Sequence, residues 1–291
     1  MDRNPGHKLV RRIKDNLFNE EELDLYNLSV MAGSNDFQLM VTSGKEGRLL
    51  LLEDHVFPES NNVTQDFRAL RHLFDSHQLL QAGFWKTISI GFKNQKYTQI
   101  PAALFEETGA YDILSLNAVL EKSDKILWNE SVKTGIKTIF AIPDSVYSWL
   151  GSYYPNREIH FSHQSAALIA GVESVHNGEE TIYAFIDRFR LHLLAMSGTS
   201  LKLYNQFQIK TFSDYTRYLM LVFNQMGFNR ESCKVLLHGF VGKDSPHFQE
   251  LRKYIRTLET GNRPGVTLTG TVLAEVQEHQ FFDIFALPLT R

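Results

Sequence analysis

The chain contains two segments in which predicted secondary-structure elements follow one another in the same order. Short apolar runs with turn residues between them predict three successive strands, and an amphipathic helix and a further strand follow. In the first segment the strands are Tyr26–Ala32, Phe37–Thr42, Arg48–Phe57 and Lys86–Phe92, with Thr64 as the helix N-cap. In the second they are Thr181–Asp187, Leu191–Ser197, Ser200–Ile209 and Cys233–His238, with Ser213 as the helix N-cap.

The spacing of the two segments supports a duplication. Their first strands begin 155 residues apart, at Tyr26 and Thr181, and their last strands 147 residues apart, at Lys86 and Cys233. Two unrelated β-meanders would also give three strands in a row by chance. The repetition of the helix and the final strand favours a duplicated βββαβα unit, whose mixed sheets are covered by helices.

The remaining sequence sets the predicted domain boundaries. Residues 1–20 are polar and charged, and they predict a leader or a loosely attached helix. Residues 21–162 predict a first lobe with an insertion at about 97–132, which contains an Ala- and Leu-rich helix at about Ala102–Leu116. Residues 163–291 predict a second lobe that ends in the aromatic-rich segment Gln280–Leu287.

Composition excludes several classes of function. The 291 residues carry a net charge of −3, so no basic excess is present to bind a phosphate backbone, and we expect no nucleic-acid partner. The single cysteine excludes a disulfide framework and a Cys-based zinc site, and it suits a reducing compartment. No apolar run approaches the ~18 residues of a spanning helix. We therefore expect a cytoplasmic protein without direct membrane insertion.

Several motifs in the middle of the chain resemble a known superfamily. The apolar strand Thr138–Pro143, a helix, a strand and the small-residue helix Ser165–Gly171 follow one another, and Lys234–Gly239 is followed by Ser245–Leu251. This series resembles the actin-like ATPases, which include heat-shock chaperones and sugar kinases. The segments Lys96–Phe105 and Ala141–Tyr147 resemble, more narrowly, a Bacteroidetes family of uncharacterised proteins with an actin-like fold. The resemblance implies an α/β fold of two actin-like lobes, a duplicated ribonuclease H-like fold with mixed sheets flanked by helices.

The resemblance also implies a nucleotide site, in which the first hairpin of each lobe binds phosphates. Tight turns must present backbone N–H groups there, and carboxylates must hold hydrated Mg²⁺. Several positions depart from that pattern. Met31 stands at the first carboxylate position and Ser162 at a later one, and Arg188, Phe189 and Arg190 stand where glycines are expected. Phe189 would occupy space that the phosphates need. The candidate nucleotide-binding residues that remain, as a vestigial set, are Gly33, Ser34, Asp187, Arg188, His238 and Gly239.

Each candidate also has a structural interpretation. Asp187 and Gly33-Ser34 fit ordinary hairpin turns, Arg188 and Arg190 fit solvated turn residues, and His238 fits a structural histidine at a strand end. The pair His160 and His163 has a spacing seen in metal sites, but it crosses a strand-to-helix boundary, so we predict no metal ligand. No catalytic residue is predicted.

The sequence predicts a protein of unknown specific function with a degenerate nucleotide site, acting as a non-catalytic scaffold or regulatory interaction protein. The alternative is an ATP-binding protein or ATP-dependent phosphotransferase that uses the cleft between the lobes, with ATP and Mg²⁺ as cofactors and Asp187, Arg188 and Arg190 at its site. A small-ligand binder without catalysis is a third hypothesis. For the scaffold, we expect no cofactor and a protein partner, with a membrane-anchored protein and a second copy of the chain as candidates.

Overall fold

The computed structural model describes residues 7–44, 47–57, 67–188, 190–270 and 272–291. The strands are β1 (Lys8–Lys14), β2 (Tyr26–Gly33), β3 (Asp36–Ser43), β4 (Leu49–Val56), β5 (Thr87–Lys93), β6 (Tyr97–Pro101), β7 (Asp124–Ser131), β8 (Ile136–Pro143), β9 (Ile159–His163), β10 (Thr181–Asp187), β11 (Arg190–Ser197), β12 (Ser200–Gln208), β13 (Lys234–Gly239) and β14 (Leu258–Thr260). The α-helices are α1 (Arg68–Ser76), α2 (Gln78–Gln81), α3 (Ala110–Ser115), α4 (Asp144–Tyr153), α5 (Gln164–Val175), α6 (Phe212–Met226), α7 (Pro246–Arg252), α8 (Val272–Glu275) and α9 (Phe282–Ala286). Short 3₁₀ turns cover Glu20–Leu25, Ala102–Leu104, Glu107–Gly109 and Leu287–Thr290.

The chain divides into two compact units. Unit 1 holds the described residues up to Ala170 together with Gly265–Glu275 and Asp283–Arg291, and unit 2 holds Gly171–Pro264 and Val276–Phe282. The C-terminal stretch, residues 265–291, therefore contributes to both units, whereas the sequence predicted that all of it belongs to the second lobe. The predicted boundary between the lobes lies between residues 162 and 163. In the structure unit 1 instead ends at Ala170, inside helix α5, and unit 2 begins at Gly171.

Unit 1 contains a six-stranded sheet in the order β1-β4-β3-β2-β5-β9. Strands β2, β5 and β9 are parallel and the other neighbours are antiparallel. Its core joins the sheet to α1 and α4 through residues such as Leu39, Phe74 and Leu150. The sequence predicted a leader or loose helix over residues 1–20, but Lys8–Lys14 form β1 and pair with β4. The predicted N-cap Thr64 lies outside the described residues.

The predicted insertion at about 97–132 contributes β6 and β7 to a second sheet of unit 1, to which β8 also belongs. Strands β6, β8 and β7 make a three-stranded antiparallel sheet, with a small core around Leu114 and Ile139. The single helix predicted at Ala102–Leu116 is instead two 3₁₀ turns and the short helix α3. Extended backbone at Phe105 and Glu106 interrupts it.

Unit 2 repeats the strand order of unit 1. Its five-stranded sheet runs β12-β11-β10-β13-β14, with the last three strands parallel, as β4-β3-β2-β5-β9 do in unit 1. This common topology confirms the predicted duplication. Helix α6 ends at Gly227 in the left-handed conformation, as its sequence predicts, but Thr211 rather than Ser213 caps its N-terminus, through a capping box with Asp214.

Within the described part of the chain, every helix is too short or too polar to cross a membrane.

Candidate functional site

The first candidate residues, Gly33 and Ser34, lie in the turn between β2 and β3. Gly33 has a specific steric role, because a Cβ atom at this position would lie 2.2 Å from Oδ1 of Asp36. A side chain at residue 33 would therefore displace that carboxylate. Ser34 is exposed at the tip of the turn, whereas Asp36 is buried at the start of β3. The turn thus folds a carboxylate back over its own glycine.

A buried ionic network occupies the carboxyl ends of β2 and β5 in unit 1. Lys93 ends β5 directly opposite Gly33, and its Nζ atom lies 2.7 Å from Oδ2 of Asp36 and 3.3 Å from Oδ2 of Asp283. Gln164, at the start of α5, donates from Nε2 to the same Asp283 oxygen at 2.9 Å. One ammonium group therefore contacts two carboxylates, one of which comes from the C-terminal helix α9.

The two positions at which the resemblance implies carboxylates are apolar or internally hydrogen-bonded. Met31 is fully buried, and its sulfur and methyl group pack over Gly91 beside Leu287 of the C-terminal 3₁₀ turn. Ser162 is also fully buried, and its hydroxyl donates to Oδ1 of Asn129 at 3.0 Å. Neither side chain can hold a hydrated Mg²⁺ ion as a carboxylate does.

In unit 2, Asp187 and Arg188 lie at the hairpin between β10 and β11. Asp187 pairs in register with Arg190, which leaves a two-residue connection. Arg188 adopts a φ of 43°, in the left-handed region that glycine adopts most readily. An arginine thus holds a backbone conformation that favours glycine, at a position where the resemblance implies a glycine. Phe189, the predicted obstruction to phosphates, lies outside the described residues.

His238 and Gly239 lie at the end of β13, and aromatic side chains cover the histidine. Its ring stacks on Phe185 at 4.7 Å between centroids and meets the edge of Phe282 at 4.6 Å. Burial lowers the pKa of His238 from 6.5 to about 3, although its hydrogen bond to the Asn262 carbonyl acts in the opposite direction. The imidazole is therefore neutral at physiological pH, and a base could stack on it only if these rings moved.

Gly239 is required by close backbone contacts. It has a φ of 116°, and a Cβ atom there would lie 2.4 Å from the Ile186 carbonyl oxygen. Its N–H donates to the carbonyl of His279 at 2.7 Å. One backbone donor that a ligand could use is thus already bonded to the C-terminal stretch.

The structure places the six candidates in two groups, each described within its own unit. Gly33 and Ser34 belong to unit 1, whereas Asp187, Arg188, His238 and Gly239 lie at the carboxyl ends of the neighbouring parallel strands β10 and β13. Sequence reasoning missed Lys93 and Asp283. A lysine at the end of an otherwise apolar strand was a detectable signal for the first, but Asp283 was recognisable only from the path of the C-terminal stretch.

The described residues that could hold a metal ion are Glu53, His55 and His77 in unit 1. Burial would raise the pKa of Glu53, but hydrogen bonds from His55 and His77 outweigh that effect and bring it to about 2. The sequence held a signal for this group, since Glu53-x-His55 places two ligand types on one face of a strand. The prediction of no metal ligand among His160 and His163 does not concern these residues.

Comparison with solved structures identifies the class of fold. A Bacteroides thetaiotaomicron protein with an actin-like ATPase fold and unknown function is similar over 95% of this chain and 100% of its own, with a TM-score of 0.74 and 21% identity. A chain of the PilM–PilN type IV pilus biogenesis complex is similar over 90% of this chain and 97% of its own, with a TM-score of 0.61 and 11% identity. The fold is therefore that of the actin-like ATPases, as the sequence predicted.

The family follows from the sequence itself. The model of DUF3822, a family of proteins of unknown function, matches residues 15–258. This match spans most of the chain, so the protein belongs to the DUF3822 family. A search of curated proteins finds no match.

Proposed function

We propose that this protein is a non-catalytic member of the actin-like fold class that acts as a scaffold or regulatory interaction protein. One observation carries the proposal: where actin-like ATPases place a carboxylate at the first hairpin, this chain places Met31, fully buried over Gly91, which Leu287 of the C-terminal stretch also covers. A buried thioether can neither bind hydrated Mg²⁺ nor polarise an attacking water.

The charges at the first hairpin support the same proposal. A triphosphate needs positive charge and free N–H groups, but the ammonium of Lys93 is held by Asp36 and Asp283. A phosphate at this position would have to displace two carboxylates of its own sign. The charges therefore disfavour the alternative function of ATP binding or phosphotransfer.

The end of β13 supports the proposal independently. His238 is covered by Phe185 and Phe282, and the Gly239 N–H is bonded to His279. The aromatic packing that a nucleotide base would need is thus supplied from within unit 2.

The surface of the insertion supports an interaction role. Large apolar side chains are exposed in α3 and the segment that follows it: Tyr111 is 46%, Leu116 83% and Val119 86% exposed. Exposed apolar side chains in one segment are typical of protein-binding surfaces. The similarity to a chain of the pilus biogenesis complex gives this idea an analogy in fold. A protein partner, membrane-anchored or a second copy of the chain, belongs to this proposal.

The test measures thermal stability and calorimetric heat with Mg-ATP, Mg-ADP and AMP. A ligand that binds only the folded state raises its stability, so we expect no shift at millimolar nucleotide. Asp187→Ala is the informative variant, and Glu179→Ala, an exposed carboxylate of unit 2, is its control. Saturable stabilisation of the wild type and of Glu179→Ala that is lost in Asp187→Ala would replace the scaffold proposal with the nucleotide-binding alternative.

A further inference from the structure

Strand β4 carries two polar side chains on its core-facing side. Leu51, Glu53 and His55 alternate along one face, and the His55 ring meets the edge of Phe37 with 5.9 Å between centroids. Phe37 in turn packs on Phe74 of helix α1 at 6.1 Å. Glu53 and His55 are therefore directed at the helix-covered core of unit 1, where a carboxylate and an imidazole are costly to bury without partners.

A second histidine completes a three-residue cluster. His77 is the C-cap residue of α1, and its backbone N–H donates to the Leu73 carbonyl at 2.9 Å. Nε2 of His77 lies 2.8 Å from Oε2 of Glu53, and Nε2 of His55 lies 3.0 Å from the same oxygen. All three ligand atoms lie within 4.8 Å of one another. Two imidazole nitrogens thus converge on a single carboxylate oxygen.

The elements that present these side chains are rigid. Glu53 and His55 belong to a strand paired on both sides, by β1 and β3, and only 2% and 3% of their side chains are exposed. His77 is 17% exposed and is fixed by the end of α1. The other Glu53 oxygen, Oε1, forms an ion pair with Nε of Arg12 at 3.2 Å. A neighbour that holds the second oxygen of a carboxylate is typical of metal sites, because it orients the first oxygen towards the ion.

Two further histidines, His7 and His72, lie near the cluster. The His7 ring lies 5.3 Å from the His55 ring and 6.3 Å from the His72 ring. The Nδ1 atoms of His7, His55, His72 and His77 are all buried, and no hydrogen-bond partner for them occurs among the described residues. Buried polar atoms normally have a partner, so these Nδ1 atoms are polar groups still to be satisfied, whereas it is the Nε2 atoms of His55 and His77 that face Glu53.

We propose that Glu53, His55 and His77 bind one divalent transition-metal ion of the Zn²⁺ type, which joins β4 to α1. Two imidazoles and one carboxylate form a common three-residue zinc set. Ligand atoms ~2.0–2.1 Å from a tetrahedral ion lie about 3.3 Å apart. The two separations between Glu53 and the imidazoles, 2.8 and 3.0 Å, would open by a few tenths of an ångström, and the two imidazole nitrogens lie within 4.8 Å of each other. A tetrahedral ion would take a fourth ligand, such as water, beside these three side chains.

The competing explanation is a histidine–carboxylate hydrogen-bond cluster that binds no metal. Co²⁺ distinguishes the two, because its absorption spectrum reports the coordination number and the donor atoms directly. The protein is prepared without an affinity tag of histidines, stripped with a chelator, and titrated with Co²⁺ and then with Zn²⁺ as competitor. We expect one equivalent of tetrahedral Co²⁺, its displacement by Zn²⁺, and a rise in the unfolding temperature with either ion.

Variants identify the ligands. In His77→Gln we expect affinity to fall by more than about tenfold, since loss even of a group that only orients a metal ligand has this effect. His247→Gln, which removes an exposed histidine of unit 2, is the control and retains wild-type affinity. If His77→Gln does not fold, Glu53→Gln keeps the size of the side chain and replaces it. Equal Co²⁺ uptake by the wild type and by a folded ligand variant, or no tetrahedral spectrum in the wild type, would overturn the proposal.

Discussion

Units 1 and 2 share a strand order but differ at the equivalent ends of their central parallel strands. In unit 1 the ends of β2 and β5 carry the ionic network of Lys93, Asp36 and Asp283. In unit 2 the ends of β10 and β13 carry packed aromatic rings, in which His238, Phe185 and Phe282 all contact one another. The carboxyl ends of parallel strands are where ligands of α/β sheets normally bind. Duplication has thus preserved the location, while the side chains that fill it have diverged into a charged set and an aromatic set.

The C-terminal stretch supplies part of each set. Asp283 joins the network in unit 1, and the preceding residue, Phe282, packs on His238 in unit 2. The two ends should therefore respond differently to the same kind of change. Loss of one charge from the ionic network should lower the stability of unit 1 strongly. Acid should lower the stability of unit 2 through His238.

The largest expected effect is that of Lys93→Met in unit 1. The change leaves the buried carboxylates of Asp36 and Asp283 without their ammonium, and breaking a buried ion pair by removing one partner costs about 3–5 kcal/mol. Urea unfolding followed by tryptophan fluorescence measures it. All three tryptophans, Trp85, Trp128 and Trp149, lie in unit 1, so the signal reports that unit.

Two further variants test whether the network is the cause. Lys14→Met removes an exposed lysine from the Lys14–Glu20 pair in unit 1, and we expect it to change stability by less than about 1 kcal/mol. Adding Asp283→Asn to Lys93→Met should recover part of the loss, because one buried negative charge is removed with its partner. Losses of equal size in Lys93→Met and Lys14→Met would mean that the ionic network does not stabilise unit 1.

A smaller effect is expected in unit 2, where His238 makes stability depend on acid. Burial holds the folded-state pKa at about 3, below the ordinary 6.5, so the unfolded state binds the proton more readily. The full stabilisation is present above pH 6.5 and is lost as the pH falls towards 3. At pH 5 the loss in the free energy of unfolding is about 2 kcal/mol. Hydrogen exchange of β10 and β13, corrected for intrinsic rates, measures this loss.

His279 complicates the interpretation, because burial lowers its pKa too and it lies close enough to act on His238. The comparison is therefore between variants. His238→Gln should remove about 2 kcal/mol of the loss between pH 7 and pH 5, whereas the exposed His247→Gln should keep the wild-type slope. An unchanged slope in His238→Gln would assign the acid sensitivity of unit 2 to other groups.

The parts of the fold that sequence predicted are those with local signals. The meanders and the helix–strand succession follow from periodicity and turn residues, and the two sheets have that order. Strand β1 was missed because it is an edge strand of mostly charged residues, in which Ile13 alone is buried, so it shows little alternation. The helix predicted at Ala102–Leu116 was supported by its Ala and Leu content, but no N-cap residue precedes it. The segment forms two 3₁₀ turns and the short helix α3 instead.

The site was predictable only in part, and for a physical reason. A resemblance assigns positions such as Met31 and Ser162, and the absence of carboxylates there is visible in the sequence. The groups that fill the space instead come from far along the chain, as Asp283 and Phe282 do. No local pattern reports such contacts, because they depend on how the C-terminal stretch is divided between the two units.

The smallest effect is expected at the hairpin turn between β10 and β11 in unit 2. Arg188 holds a φ of 43° in the turn of unit 2, a conformation that costs an L-residue roughly 1–2 kcal/mol. Glycine removes that strain but gains freedom in the unfolded chain, at roughly 0.5–1 kcal/mol. The backbone alone should therefore favour Arg188→Gly by about 0.5–1 kcal/mol, measured as slower exchange in β10 and β11, and any contribution of the arginine side chain reduces this gain. Arg190→Gly, within β11, should destabilise it. Destabilisation by Arg188→Gly would mean that the arginine side chain contributes more to the turn than its backbone strain costs.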